Sequence, residues 1–524
     1  MTGILLPRRD FTLARWLFAR VLGAVFFCAF ASLAVQIRGL AGAHGIVPAG
    51  PWLDAVMRHE GPSALWQVPT LCWIDASDTM LVTLCVVGVL ISLLLTWGEC
   101  FPGACTLVLW GLYLSLCWVS NPFLGFQWDA LLLETALLGA ALLPWRWKPD
   151  WGRTSIPSEA ARWLLWWLLF RLMFESGVVK LASHDHTWRG LTALDYHFET
   201  QPLPPWTAWF AHQTPEPLLC LSTAVMFVIE FVGPLLIFAP RRWRHGGAWA
   251  LIALQLLIIV TGNYAFFNYL TIGLCLLLFD NAAWPARWHA WFEARWPEAK
   301  PNNPPPLPPV ARPRWIAAGV MALVFLVTVQ PLVSSLGRLF ELEDFDRVHN
   351  WPPFSWLRDA TAPTMSFNGY GLFAVMTTSR HEIEVEGSDD GVSWRTYSFS
   401  WKPGDIHRRP GFVAPHQPRL DWQMWFAALG EVQQNPWFVN FLVRLLEGSP
   451  EVLGLLENNP FPNGPPRYVR ASLYDYHFTR SGDGKTGWWK REPLGLYCPM
   501  ITLEDGKPVV VPPAPAAKSN EPER

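Results

Sequence analysis

The sequence predicts a polytopic α-helical membrane bundle of about nine spans, followed by a soluble α+β C-terminal domain. Three observations carry this reading. Of 524 residues, 51% are hydrophobic and 33 are tryptophan, gathered in apolar runs long enough to cross a hydrocarbon core. Basic residues fall on one side of those runs. From about residue 340 the runs give way to short segments of alternating polarity.

The runs lie at 14–37, 78–96, 102–119, 127–143, 161–181, 218–239, 248–262, 266–279 and 315–336. The first is too long for a signal-peptide core and lacks a small-residue cleavage site, so it is expected to stay as a membrane helix. With the N-terminus in the cytoplasm and the spans alternating, fifteen Lys and Arg fall on cytoplasmic segments, the RRWR run at 241–244 among them. Only Arg38, Arg58 and Arg189 fall opposite, before the C-terminal domain. That asymmetry predicts an N-inside, C-outside topology.

The segment 248–279 is harder to divide. Each half has about fifteen apolar residues, short of the roughly twenty a span needs. Basic clusters on both flanks still require an even number of crossings. Two short helices joined near Thr261–Tyr264, or a re-entrant hairpin, both satisfy that.

The bundle is thus expected over 1–280, with external loops at 37–77 and 183–217. The first of these should lay its tryptophans on the membrane surface. Residues 281–314 read as a proline-rich cytoplasmic linker, extended where PEAKPNNPPPLPPVARPR occurs. The last span, 315–336, leads to an extracytoplasmic α+β domain over 340–508. There YGLFAVMTTSRHEIEVEGSDDGVSWRTYSFSW reads as strands joined by a turn at Ser388–Gly391. Helical patterns follow at 421–429 and 437–446, then strands in RYVRASLYDYHFT and WWKREPLGLYCPMITL. Proline, alanine and charge from Val509 onward predict a disordered tail over 509–524. The string DYHF occurs at 195–198 and 475–478, a match that chance supplies in a chain of this length.

Several function classes are set aside by composition. A net charge of −2 argues against a nucleic-acid partner. Cys28, Cys85, Cys105, Cys117 and Cys275 lie in apolar runs, so a disulfide framework is not expected. A Cys72–Cys498 bridge stays open, since both fall on the external side. No GxSxG, HExxH or phosphate-cradling glycine loop occurs, and neither a cofactor nor a metal is expected.

What chemistry there is lies inside the membrane. An ionisable side chain mid-span costs roughly 2.5–3.5 kcal/mol, so such groups face protein or water and find partners. Arg171, Glu175 and Lys180 share the run 163–181. Arg171 and Glu175, four apart, are placed to pair on one helix face. Asp129 and Glu134 share GFQWDALLLETALLGA, while Glu230 and Asn263 lie in later spans. If Glu134 or Glu230 meets Arg171 or Lys180, an ion-pair network results. It could fix helix packing, or shape a cavity for an apolar chain or a reactive carbanion. The external loop adds Asp195, His197, Glu199 and Gln201, either as a hydrogen-bonded lid or as part of a site.

GFQWDALLLE (125–134), RLMFESGVVKL (171–181), LTALDYHFETQPLP (191–204), TGNYAFFN (261–268) and KPGDIHRRPGFVAPHQPRLDWQMWFAALG (402–430) together resemble the lipase maturation factor family. The resemblance spans most of the chain. It implies a membrane-anchored, non-enzymatic helper for the folding and assembly of exported proteins such as secreted lipases. Its eukaryotic relatives reside in the endoplasmic reticulum membrane, with the C-terminal domain in the lumen. An arginine excess over lysine of about four to one suggests a GC-rich genome, and so a bacterial inner membrane here. Client contact is then expected at the loop 402–420, with Arg408, Arg409 and Arg419 exposed beside Asp421 and Trp422. More distantly, the bundle is similar to the vitamin K-dependent carboxylase group, which uses a membrane-embedded lysine base. That likeness makes Lys180 the catalytic candidate of the alternative reading, an integral-membrane enzyme, with Arg171 and Glu175 in support.

Overall fold

The computed structural model describes residues 11–149, 151, 158–296, 314–342, 351–482 and 487–512. Ten apolar or amphipathic helices organise the first part. These are α1 (Thr12–Ala34), α2 (Asp78–Trp97), α3 (Pro102–Val119), α4 (Gln127–Leu142), α5 (Glu159–Ala182), α6 (Ala193–Thr200), α7 (Glu216–Leu236), α8 (Arg241–Thr261), α9 (Phe267–Leu276) and α10 (Arg314–Leu339).

By length and composition, six of these can cross a membrane: α1, α2, α3, α7, α8 and α10. About nine spans were expected. Helices α4 and α9 stand at expected positions but are short, and α5 carries Arg162, Arg171, Glu175 and Lys180. The hard segment resolves unevenly. Helix α8 begins at Arg241, so its first turns take in the basic run and give it 21 residues, whereas α9 has only ten. The break falls at 262–266, where the sequence placed it.

Small residues set the helix crossings, as expected where lipid gives no hydrophobic drive for association. A Cβ at Gly88 of α2 would lie 2.4 Å from the Phe30 ring of α1, and one at Gly23 of α1 would lie 2.5 Å from Thr96 Oγ1. Ser158 starts α5 by accepting from Ala161 N at 3.3 Å, with Glu159 in the first turn. Arg171, Glu175 and Lys180 are all buried, on the side turned to the other helices.

The C-terminal domain holds one antiparallel sheet, ordered β2-β1-β3-β4-β5. Its strands are β1 (Arg380–Ser388), β2 (Arg395–Tyr397), β3 (Tyr468–Phe478), β4 (Trp489–Glu504) and β5 (Lys507–Val510). The expected hairpin joins β1 to β2. Asp390 Oδ1 accepts from Val392 N and Ser393 N at 2.8 and 2.7 Å, and Gly391 takes φ +73°. Helices α11 (Arg419–Ala427) and α12 (Pro436–Glu447) occupy the predicted positions. Phe438, Phe441, Leu442 and Leu445 line the buried stripe of α12.

The start of the predicted disordered tail is corrected, and the bridge left open between Cys72 and Cys498 is not formed. Val509 and Val510 belong to β5, because the turn at Asp505–Gly506 brings them back onto β4; residues 513–524 lie outside the described part. Cys72 and Cys498 are both free. The linker carries a helix, Ala286–Arg295, and its proline-dense part, 297–313, lies outside the described residues. The two DYHF strings adopt different structures, one in α6 and one in β3, although Phe198 and Phe478 share one apolar cluster.

Candidate functional site

The polar groups that the sequence singled out in the bundle sort into contacts with the C-terminal domain and a separate cavity. Glu134, Arg171 and Glu175 meet the segment 363–376, which runs from the helix Pro352–Thr361 to β1 and lies along the bundle. Trp118 Nε1 donates to Pro363 O at 3.0 Å, and Trp110 Nε1 to Ser366 Oγ at 2.8 Å. Deeper in, Arg171 pairs with Glu134 of α4 and gives Nη1 to Asn368 O at 2.6 Å. Glu134 Oε2 accepts from Tyr370 Oη at 2.7 Å, and Glu175 Oε2 accepts from Tyr370 N at 3.0 Å. The ion partner of Arg171 is therefore Glu134, not the Glu175 expected from the four-residue spacing. The reason is tertiary: the segment through Tyr370 supplies Glu175 with a backbone N–H, while α4 brings Glu134 to the guanidinium.

Gly371 is needed for this close approach, since a Cβ there would lie 2.3 Å from Val179 Cγ2 on α5. Farther along, Trp188 Nε1 donates to Phe373 O, and Asp185 Oδ2 accepts from Met376 N, both at 2.9 Å.

A second set of contacts comes from the loop expected to face clients. Arg419 is buried against Asp129, Nη1 to Oδ2 at 2.6 Å and Nη2 to Oδ1 at 2.9 Å, a bidentate pair. Tyr113 Oη donates to the same carboxylate at 2.5 Å. Trp422 packs on Trp128, ring centroids 4.6 Å apart. Asp421 accepts from Trp401 N and Lys402 N, both at 2.9 Å, and burial raises its carboxyl above the ordinary range. Arg419, Asp421 and Trp422 are thus removed from any exposed surface: Arg419 and Trp422 build the joint between bundle and domain, and Asp421 holds backbone within the domain. Asn263 belongs to the same joint. Its amide gives Nδ2 to Leu203 O and Gly411 O, and its Oδ1 receives Val413 N, all at 2.9 Å.

Of the expected contact residues, Arg409 is exposed and Arg408 half-buried. Arg408 pairs with Glu457 and gives Nη2 to Lys402 O at 2.7 Å. Beside them lies a polar cavity of 410 Å³ lined by Glu384, Tyr397, Asp405, Arg408, Glu457 and Arg491.

In the loop 183–217, Glu199 Oε2 accepts from Phe478 N at 2.9 Å, tying α6 to β3. Asp195 stays partly exposed, its carboxyl raised by partial burial and the Glu216 carboxylate. One residue that sequence reading missed completes this contact. Arg380, fully buried, donates to Glu199 O and Pro202 O at 2.8 Å, to Gln201 O, and to Glu382 at 2.6 Å. It looks like an ordinary strand arginine; only its place at the head of a strand with three following glutamates hinted at burial.

Lys180 stands apart from the joint. Its ammonium reaches Glu230 Oε1 and Oε2 at 2.8 and 3.0 Å and Ser176 O at 3.2 Å. The pair lines a cavity of 290 Å³ that also reaches His197 and Tyr264. Among the described residues, no group of three His, Cys, Asp or Glu is placed to hold a metal ion.

Residues 13–286 match the lipase maturation factor transmembrane domain, and residues 366–499 match the lipase maturation factor C-terminal domain. The chain is 35% identical to lipase maturation factor 2 of Rattus norvegicus, over 93% of this chain and 83% of that protein. The human lipase maturation factor 2 gives 35% over 96% and 84%. Lipase maturation factor 1 of Bos taurus gives 32% over 94% and 90%. No solved structure matches.

Proposed function

Since the chain belongs to the lipase maturation factor family, we propose that it is a membrane-anchored maturation factor for exported clients of the lipase class. Its C-terminal domain would hold a client-contacting face at a fixed height beside the bilayer. The observation that carries this reading is the joint: the buried Arg419–Asp129 pair and the segment 363–376 dock the domain on the bundle instead of leaving it on a tether. A docked domain binds without first ordering itself, which lowers the entropic cost of association. Arg409 and the polar cavity beside Arg408 are the client contacts we favour, for they remain accessible when the joint is closed.

The charge asymmetry of the loops supports an N-terminus in the cytoplasm and a C-terminal domain on the exported side, and the arginine excess over lysine favours a bacterial inner membrane. Photo-cross-linking tests both points. Arg409→p-benzoylphenylalanine, irradiated in cells, is expected to form adducts with newly exported polypeptides. The same change at Arg287, exposed in the linker helix, should give none. Absence of adducts at Arg409, or equal capture at both positions, would reject the reading.

A further inference from the structure

The cavity beside Lys180 lies between α5, α6, α7 and α8, with Tyr264 and the segment through Phe373 at its inner end. Ser222 of α7 and Leu257 of α8 line it and are both exposed, Leu257 by 63%, on two helices apolar and long enough to cross a membrane. Leu172, Met226, Leu254 and Phe267 make the wall mostly apolar.

The hydrogen bonds of the polar end can be read in order. Gln201 gives Nε2 to Phe198 O at 3.2 Å and Thr261 O at 2.8 Å, which leaves its Oε1 to accept from Tyr264 Oη at 3.1 Å. Tyr264 has then given its one proton, so at 3.2 Å it is His197 Nε2 that donates to Tyr264 Oη. Burial, with the Lys180 ammonium adding, lowers His197 to about 4, so the ring is neutral at pH 7. A neutral ring protonated on Nε2 keeps a bare lone pair on Nδ1. That Nδ1 is buried and has no partner among the described residues.

Glu230 likewise receives hydrogen bonds from Lys180 alone among the described residues, with lone pairs to spare. By contrast, the donors of Lys180, Ser176, Ser222, Tyr264 and Trp188 are all turned to protein acceptors. Asn268 and Gln255, elsewhere in the wall, each give one amide N–H to protein and keep a second; at the end that holds His197 and Glu230 the unmet capacity is for a donor.

We propose that this cavity binds a lipid alcohol drawn from the bilayer, its aliphatic chain between α7 and α8 and its one hydroxyl proton given to His197 Nδ1. At that end an ester carbonyl or an ionised fatty acid would bring an acceptor to acceptors. The volume lies at the low end of ligand pockets, which run about 300–1,000 Å³, and suits one chain.

The test uses the full chain in lipid nanodiscs with tritiated hexadecanol and its tritiated methyl ether, which differ only in the donor proton. The alcohol is expected to bind about tenfold tighter, the worth of one buried hydrogen bond. Met226→Trp, which fills the cavity, should abolish saturable binding of both, and His197→Phe should shrink the preference for the alcohol. Equal binding of alcohol and ether by the wild type, no saturable binding of either, or binding that Met226→Trp leaves intact would overturn the proposal.

Discussion

Arg419 of the C-terminal domain and Asp129 of the membrane bundle form a bidentate ion pair sealed from solvent, at 2.6 and 2.9 Å, across the boundary between the two matched regions. Removing one member leaves the other charge buried and unpaired, at a cost of about 3–5 kcal/mol. Arg419→Met is therefore expected to lower the thermal midpoint in detergent and to expose the connection to protease. Removing both, as Arg419→Met with Asp129→Leu, should recover part of the loss. Melting curves and limited proteolysis on the three variants check this; a single variant as stable as wild type would count against the joint.

A second prediction concerns the segment through Tyr370. Tyr370→Phe deletes a donor from the buried Glu134 carboxylate and is expected to cost about 1–3 kcal/mol. Gly371→Val acts by volume and should displace the segment from α5. Hydrogen exchange at 366–376 should rise modestly in the first variant and strongly in the second. Unchanged protection in both would show that the segment contributes little.

Lys180 calls for a paired experiment. Lys180→Met alone leaves Glu230 as an orphan buried carboxylate, so lost function could reflect instability alone. Lys180→Met with Glu230→Met removes that penalty. A folding helper should then keep client yield at matched membrane levels, whereas a chemistry that depends on Lys180 would be lost in both the single and the double variant.

His197 supplies the pH dependence. Its ordinary value is 6.5 and burial depresses it to about 4, so above pH 6.5 the ring is neutral in folded and unfolded chains and its full contribution is present. As pH falls from 6.5 to 4 the unfolded chain takes up a proton that the folded chain refuses, and stability is lost, by about 3 kcal/mol at most. His197→Phe cannot titrate, so its melting midpoint should fall less over that interval than the wild type's. Parallel curves would contradict the assignment.

What the sequence made legible follows from what is local. Apolar run length marked the helices, the Ser388–Gly391 turn marked the hairpin, and the cost of a charge in lipid singled out Asp129, Glu134, Arg171, Lys180 and Glu230 as groups in need of partners. Which partner each one takes depends on the tertiary fold. Glu134 lies 37 residues from Arg171, and Arg419 lies 290 from Asp129. The same limit explains the loop 402–420: its prolines and arginines resemble a solvated surface, and nothing local reveals that Arg419 turns inward. Residues 363–369 had no period to read, and 370–379 were read as strand although β1 begins only at Arg380; the segment 363–376 is irregular because its backbone groups find side-chain partners on α3, α4 and α5.

The central claim is that this chain brings exported clients to their mature form from a docked outer domain. The most direct measurement is secreted lipase activity per unit of lipase synthesised. It would be taken in cells depleted of the chain, then resupplied at equal membrane levels with wild type or with Arg419→Met. Wild type is expected to restore activity and Arg419→Met to fall well short of it. Activity that is the same with and without the chain would contradict the account.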